Sequence, residues 1–191
     1  MYFDLIVVAL VLITTIVFYV WYSRAQTRIK SSIDGRIYTV KNNELMKQSA
    51  DLLANVNARL TRLISYIKEI NPPITYAANL EKFDPNNTHE NILNIDTTYT
   101  LDKGKSMLFC IGPRDEKIPR LYDLNTMMYV AVHELSHIAS DSIGHTVEFK
   151  QKFADILNKA IAIGVYRYVD YSKEPIEYCG MKLTRNILGS K

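Results

Sequence analysis

The feature that most constrains this chain is an apolar run near its N-terminus. Residues 5–22 read LIVVALVLITTIVFYVWY and carry no charge. As a helix the run rises about 27 Å, close to the hydrocarbon thickness of a bilayer. A cleaved signal peptide is the alternative, but Asp4 precedes the run and no Lys or Arg does. We therefore predict an uncleaved transmembrane anchor over residues 1–23.

The charges beside this anchor predict its orientation. Arg24, Arg28, Lys30 and Arg36 follow the run, whereas only Asp4 and the α-amino group precede it. The positive-inside rule then places the N-terminus outside and the C-terminal domain in the cytoplasm. A virion membrane is an alternative location for the same single-pass protein.

Length and composition describe the rest of the chain. A chain of 191 residues holds one domain with a core plus one appendage. The net charge of +3 and the lack of a Lys/Arg stripe argue against a nucleic-acid partner. Cys110 and Cys179 form no CxxC pair, so a cysteine zinc site is excluded. They form either one disulfide or two reduced, buried thiols, and a reducing compartment favours the thiols.

The middle of the chain predicts a linker followed by a long helix. Residues 24–43 are polar and contain one short strand at residues 36–40. Apolar residues then recur every three or four positions, which predicts an amphipathic helix ended by Pro72 and Pro73: Leu53, Val56, Leu60, Leu63, Ile67 and Ile70. Residues 74–100 are loop-like, and His89 within them is expected to be a surface residue.

Two elements are predicted before the histidine-rich region. SMLFCIG, residues 106–112, is short, apolar and bracketed by glycines, so it predicts a strand. A turn or hairpin follows over residues 113–124. Asp123 or Asn125 then caps a helix that begins NTMMYVAVHELSH.

The HELSH motif on this helix carries the candidate chemistry. His133 and His137 are four residues apart, so both imidazoles leave one helix face and can reach one zinc ion. Glu134 lies beside them, where it can contact a water on the metal. A catalytic zinc takes three protein ligands and one open position, and His145 supplies the third imidazole. Asp141 and Glu148 are the alternatives for that third place or for a role in orienting a ligand imidazole.

These residues resemble the WLM and SprT-like zinc metallopeptidases. The resemblance rests on HELSH, on GHTVEF at residues 144–149 and on the strand SMLFCIG, and it covers roughly residues 95–180. The interval between the second and third histidines differs from the usual WLM spacing. No basic patch supports the DNA- or ubiquitin-pathway partners of those families. The pattern, including PIEYCG, is also similar to uncharacterised WLM-like proteins of large DNA viruses.

The resemblance implies a fold and a set of roles. The fold is an α+β, zincin-like domain over residues 44–191, with a small sheet packed on the HExxH helix and an edge strand along a peptide groove. The transmembrane helix and the long amphipathic helix precede it. His133, His137 and His145 match the zinc ligands, and Glu134 matches the catalytic acid/base.

The resulting hypothesis is a membrane-anchored zinc endopeptidase acting on a peptide or protein substrate. Residues 107–111 are expected to bind the substrate backbone as an added strand, which makes Met107, Phe109 and Ile111 candidate substrate-binding residues. A downstream tyrosine is a candidate oxyanion donor: Tyr166, Tyr168, Tyr171 or Tyr178. The alternatives are a structural membrane protein, with virion partners and little or no turnover, and a metal-dependent hydrolase of bonds other than peptides.

Overall fold

The structure is a computed structural model that describes residues 2–70, 75–93, 97–114 and 119–189. Its first helix, α1 (Tyr2–Ala25), is apolar on all sides, and its side chains from residue 4 onward are largely exposed. The helix over Asp4–Ala25 is long and apolar enough to cross a membrane, and a signal sequence can have the same length and composition. The predicted N-terminal apolar helix is confirmed.

The segment predicted as a linker, residues 24–43, contains a hairpin that packs on the domain. Strand β1 (Gln26–Lys30) follows α1 directly and pairs antiparallel with β2 (Ile37–Lys41), the strand expected at residues 36–40. Tyr38 and Val40 alternate into the core and are fully buried. The hairpin therefore joins α1 to the domain by packed structure.

The long amphipathic helix is α2 (Met46–Glu69). It buries the predicted stripe against the hairpin and the later helices, and the stripe contains Leu53, Val56, Leu60, Leu63 and Ile67. Ile70 follows the last helical turn in an extended conformation. Pro72 and Pro73, predicted to end the helix, lie outside the described residues.

A three-stranded sheet follows in the region expected to be loop. β3 (Thr88–Glu90), β4 (Tyr99–Leu101) and β5 (Ser106–Phe109) lie in the order β3-β5-β4, with β3 parallel and β4 antiparallel to β5. Short 3-10 helices at Ala77–Lys82 and Pro85–Asn87 lie between α2 and β3, and another at Asp102–Gly104 lies between β4 and β5. His89 is on β3 and is half-buried, and its Nδ1 accepts a hydrogen bond from the Thr39 amide.

Two helices carry the histidine-rich region. α3 (Leu124–Ala139) begins at Asp123, whose carboxylate accepts hydrogen bonds from the amides of Asn125 and Thr126, so Asp123 is the cap. Nearly all of α3 is buried between α2 and α4 (Val147–Ala162). Residues 115–118, within the turn predicted before α3, are outside the described residues. The mixed α+β class is confirmed.

The last elements are a second hairpin and a disulfide. β6 (Ile176–Tyr178) pairs antiparallel with β7 (Met181–Leu183). Cys179, in the turn between them, is bonded to Cys110 at the end of β5. Of the two alternatives left open by the sequence, one disulfide or two reduced thiols, the structure has the disulfide, because the fold brings two cysteines that are 69 positions apart in sequence to a Cα–Cα distance of 6.3 Å.

Candidate metal centre and its cavity

Three histidines come together beside the C-terminal half of α3. Each of His133, His137 and His145 offers one ring nitrogen, and these nitrogens all lie within 4.8 Å of one another. The Nε2 atoms of His133 and His145 are 3.0 Å apart. The i, i+4 spacing on α3 places the first two rings, and the loop before α4 returns the third to them. The structure thus brings the three predicted metal ligands together.

Burial keeps the imidazoles of His133 and His137 neutral. Burial, with the neighbouring imidazoles His137 and His145, lowers the pKa of His133 to about 3. Burial, with His145 and the Lys103 ammonium, lowers the pKa of His137 to about 4. Both rings therefore keep an unprotonated nitrogen at neutral pH, which is the form that binds a metal ion.

Two phenylalanines of α4 pack against the histidine rings. The ring of Phe149 is stacked on His137, with centroids 4.2 Å apart, and also packs against His133 and His145. Phe153 packs edge-on against His133. Thr146 caps α4 by accepting a hydrogen bond from the Phe149 amide, which fixes where the helix begins. The Phe of GHTVEF is therefore part of the wall that orients the histidines.

Glu148 holds the loop that carries His145. Its two carboxylate oxygens accept 3.0 Å hydrogen bonds from the amides of Asp141 and Ser142, and it pairs with Lys152. Hydrogen bonds from Lys152, Ser142 and Asp141 hold the pKa of Glu148 well below its usual range. The Asp141 carboxylate accepts a hydrogen bond from Asn79. Glu148 and Asp141 therefore fix the chain around the third histidine, and His145 is the residue that lies with His133 and His137 in the cluster.

Lys103 ties the sheet to the same loop. Its ammonium donates hydrogen bonds to the carbonyls of Ser140 (2.9 Å) and Asp141 (2.6 Å), at the C-terminal end of α3. A cation is favourable there because the helix dipole is negative at that end. Asp102 and Lys103 both adopt positive φ, 45° and 50°, in the turn after β4. No local sequence pattern singles out Lys103, because only the fold brings it to α3.

Glu134 is buried on α3 and points towards the sheet. Glu134 is only 5% exposed, and its Oε2 accepts a 2.9 Å hydrogen bond from the Thr100 hydroxyl on β4. Burial raises the pKa of Glu134 to about 8, although hydrogen bonds from Thr100 act to lower it. Glu134 and the three histidines line one cavity of about 540 Å³. A buried carboxyl beside a cluster of imidazoles is suited to accepting and returning a proton.

The expected substrate strand is in the wrong place for that role. β5 is the central strand of its sheet, so both of its edges are already paired. Met107, Phe109 and Ile111 are core residues with 1% exposure or less. The edge strand beside the cavity is β4, and Tyr99 and Thr100 on it line the cavity. The prediction was wrong because an apolar run marks burial, whereas an edge strand is fixed by sheet order.

The candidate tyrosines separate in the structure. Of the four, Tyr178 lines the cavity, but its hydroxyl donates to the Cys110 carbonyl and lies 2.5 Å from the Thr98 hydroxyl. The Tyr166 and Tyr168 hydroxyls accept hydrogen bonds from the Val169 amide and the Asn186 side chain. Tyr129, one turn before His133 on α3, also lines the cavity and was missed. Its position four residues before His133 was the available signal.

The cluster fits a zinc ion by its donor set. Two imidazole nitrogens bound to one tetrahedral zinc at about 2.0–2.1 Å are separated by roughly 3.3 Å. The Nε2 atoms of His133 and His145 are 3.0 Å apart, and all three nitrogens lie within 4.8 Å of one another. Small side-chain rotations would therefore bring them to the separation expected around a zinc ion. The cavity beside the three rings leaves room for a fourth, non-protein ligand.

Fold and site together define an α+β protein with one N-terminal apolar helix and a three-histidine cluster suited to a divalent metal ion. The chain is 30% identical over 196 residues to the uncharacterized protein R325 of Acanthamoeba polyphaga mimivirus, covering 96% of this chain and 98% of that one. It therefore belongs to the same family as R325.

Shorter similarities extend to two further viral proteins. The uncharacterized protein 136R of Invertebrate iridescent virus 6 is 32% identical over 69 residues, covering 36% of this chain and 38% of that one. The uncharacterized protein 042R of Invertebrate iridescent virus 3 is 41% identical over 75 residues, covering 39% and 45%. No family model and no solved structure matches the chain.

Proposed function

We propose that this protein is a membrane-anchored, zinc-dependent endopeptidase with a zincin-like domain. One observation carries the proposal: His133, His137 and His145 converge beside the buried carboxyl of Glu134, in a cavity bordered by an edge strand. Three imidazoles with an open fourth position are typical of catalytic rather than structural zinc. The arrangement of α3 against a small sheet is in keeping with the resemblance to WLM and SprT-like peptidases.

The side chains divide the work of hydrolysis. The imidazoles of His133, His137 and His145 would hold a zinc ion, which would supply Lewis-acid activation of a water molecule and of a peptide carbonyl. Glu134 accepts the proton of the attacking water and delivers it to the leaving amine. Thr100 holds the Glu134 carboxyl towards the cavity, and β4 offers its free edge to an extended substrate backbone.

The anchor is the second part of the proposal. The charge difference across α1 favours an N-terminus outside and a cytoplasmic domain, in a cellular or a virion membrane. The disulfide opposes this placement, because cytoplasmic thiols are kept reduced. Trapping free thiols with maleimide in intact expressing cells decides between them. Two labelled cysteines fit the cytoplasmic placement, and two unlabelled cysteines that react only after reduction overturn it.

The test of the enzyme uses the full chain in detergent. Zinc titration of metal-free protein should give one tightly bound ion, and His133→Ala should lose it. His89→Ala is the matched control, because this fourth histidine lies on β3, outside the cluster. Glu134→Gln should keep the zinc and lower peptide cleavage by about 10²–10⁴-fold.

Two results would count against the peptidase. A zinc-loaded wild-type protein that cleaves nothing in a broad peptide library favours the structural membrane protein instead. Hydrolysis of esters or other bonds without peptide cleavage favours a different metal-dependent hydrolase.

A further inference from the structure

The cavity beside the histidines has apolar walls on two sides. Tyr129 and Val130 form one wall from α3, on the turn before His133. Met181 and Leu183 form the other from β7. A bound group placed next to the histidines would therefore contact mostly hydrocarbon and an aromatic ring.

The mouth of this cavity exposes apolar side chains to water. Met181 is 47% exposed on the β7 side, and Ile143 is 89% exposed on the loop that carries His145. Both line the cavity, so the exposed apolar surface is centred on the candidate site and is not scattered. Apolar surface grouped around a cleft is typical of a recognition site.

The free edge of β4 indicates what kind of molecule the apolar walls accept. In the described part of the chain β4 pairs with β5 alone, so no other strand pairs with the backbone groups of its outer edge beside the cavity. An extended peptide satisfies such groups by adding a strand, and alternate side chains then enter the adjoining pocket. An acyl chain has no backbone amides and carbonyls with which to pair with a strand. The combination favours a polypeptide with an apolar side chain.

The β7 wall is fixed before any ligand binds. The turn before β7 is bonded to β5 through Cys110–Cys179, and the Cys179 amide donates to the Tyr122 hydroxyl. Tyr178, at the end of β6, is buried and donates to the Cys110 carbonyl. Met181 and Leu183 therefore stand on an anchored hairpin, and a preformed pocket discriminates between side chains better than a mobile one.

We propose that this cavity binds a large aliphatic or aromatic side chain of an extended polypeptide, next to the bond that is cut, and that Met181 and Leu183 set this preference. The proposal rests on the proposed peptidase function and names its substrate class.

The first experiment measures cleavage by the zinc-loaded full chain in detergent. Its substrates are Ala/Gly decapeptides in which single positions are varied among Leu, Phe, Asp, Lys and Gly. Cleavage next to Leu or Phe should exceed cleavage next to Asp, Lys or Gly by about tenfold or more. Met181→Lys should remove most of this preference. Tyr66→Lys, a change at a similarly exposed residue on α2, should keep it.

The second experiment measures binding without turnover. Fluorescein-labelled Leu- and Asp-containing decapeptides are titrated into wild-type and Glu134→Gln protein and followed by anisotropy. The Leu peptide should bind at least about tenfold more tightly than the Asp peptide, and Met181→Lys should reduce that ratio towards one. Circular dichroism and zinc content show whether the Met181→Lys protein is folded, and Leu183→Ser replaces it if it is not.

The outcomes separate this inference from the peptidase itself. Cleavage that favours Asp, Lys or Gly, or that shows no preference, overturns the apolar pocket and leaves the peptidase standing. Absence of cleavage with selective binding of the Leu peptide overturns the peptidase and leaves an apolar peptide-binding site. Absence of both overturns the two proposals together.

Discussion

The hydroxyl of Thr100 on β4 donates a 2.9 Å hydrogen bond to the buried carboxylate of Glu134 on α3. This contact joins the edge strand of the sheet to the helix that carries two of the three clustered histidines. It fixes the carboxyl of the HELSH motif by a residue 34 positions earlier in the chain. Any change at Thr100 should therefore act on Glu134 before it acts on the histidines.

Thr100→Val should lower catalysis while leaving zinc binding unchanged. The isosteric change removes the hydroxyl that orients Glu134, and we expect kcat to fall by about tenfold, the loss of one side-chain hydrogen bond. Zinc content, measured by metal analysis, should equal that of the wild type. Thr100→Ser should restore most of the rate, since it restores the donor. Equal loss of zinc and activity in Thr100→Val would contradict a positioning role.

Glu148→Ala should weaken zinc binding without unfolding the protein. Glu148 holds the Asp141 and Ser142 amides, so its loss frees the loop that carries His145. Removing a group that positions a ligand typically reduces metal affinity by about 10–100-fold. Competition with a chromogenic zinc chelator measures the change. Glu174→Ala, at an exposed carboxylate in another region, is the control. Unchanged affinity in Glu148→Ala would show that His145 needs no such support.

Asp123→Ala should destabilise the metal-free protein in a pH-dependent way. Burial acts to raise the pKa of Asp123, but hydrogen bonds from Thr126 and Asn125 outweigh it and lower the pKa below 3.8. The folded state therefore favours the carboxylate, and this stability is fully present above about pH 4. Loss of the cap should cost about 1–2 kcal/mol at pH 7.

The same comparison at low pH tests the sign. As the pH falls below 3.8 and Asp123 becomes protonated, the free-energy difference between the wild type and Asp123→Ala should narrow. Urea unfolding of the metal-free full chain at pH 7 and pH 3 measures it. Glu81→Ala, at a mostly exposed carboxylate, should show little difference at either pH. A difference that grows in acid would refute the assigned pKa direction.

Replacing both cysteines should destabilise the domain strongly. The bond closes a loop of 69 residues, and loss of this constraint on the unfolded chain should lower the free energy of unfolding by about 4 kcal/mol. Urea unfolding of Cys110→Ala/Cys179→Ala measures the loss. Reduced wild-type protein should behave like the double variant. If the double variant is as stable as the oxidised wild type, the disulfide does not hold the β6–β7 hairpin.

Local patterns in the sequence were sufficient for the helices. The charge-free run of residues 5–22 predicts α1, and the stripe from Leu53 to Ile67 predicts α2, because each pattern follows from helical periodicity alone. The sequence offered Asp123 or Asn125 as the cap of α3, which places its start within two residues, since a cap acts on amides two and three residues away, and the structure selects Asp123. The i, i+4 spacing of His133 and His137 was legible for the same reason.

The short strands and the edges of the sheet could not be predicted from the sequence. β3 and β4 have three residues each, too short to show an alternating pattern, so their region resembled a loop. Strand order decided that β5 is central, which moved the expected substrate edge from Met107 and Phe109 to Tyr99 and Thr100. A local stretch of sequence does not specify which other strand a strand will pair with.

The sequence by itself determined an apolar N-terminal helix, an amphipathic second helix and a third helix that presents two histidines and a glutamate on adjoining positions. Only the tertiary structure decided that His145 completes the cluster, that Thr100 holds Glu134 and that Cys110 bonds to Cys179. The reason is the range of the interactions. Helical periodicity and capping act within about four residues, whereas these three contacts join positions 8 to 69 residues apart that meet only after the core has packed.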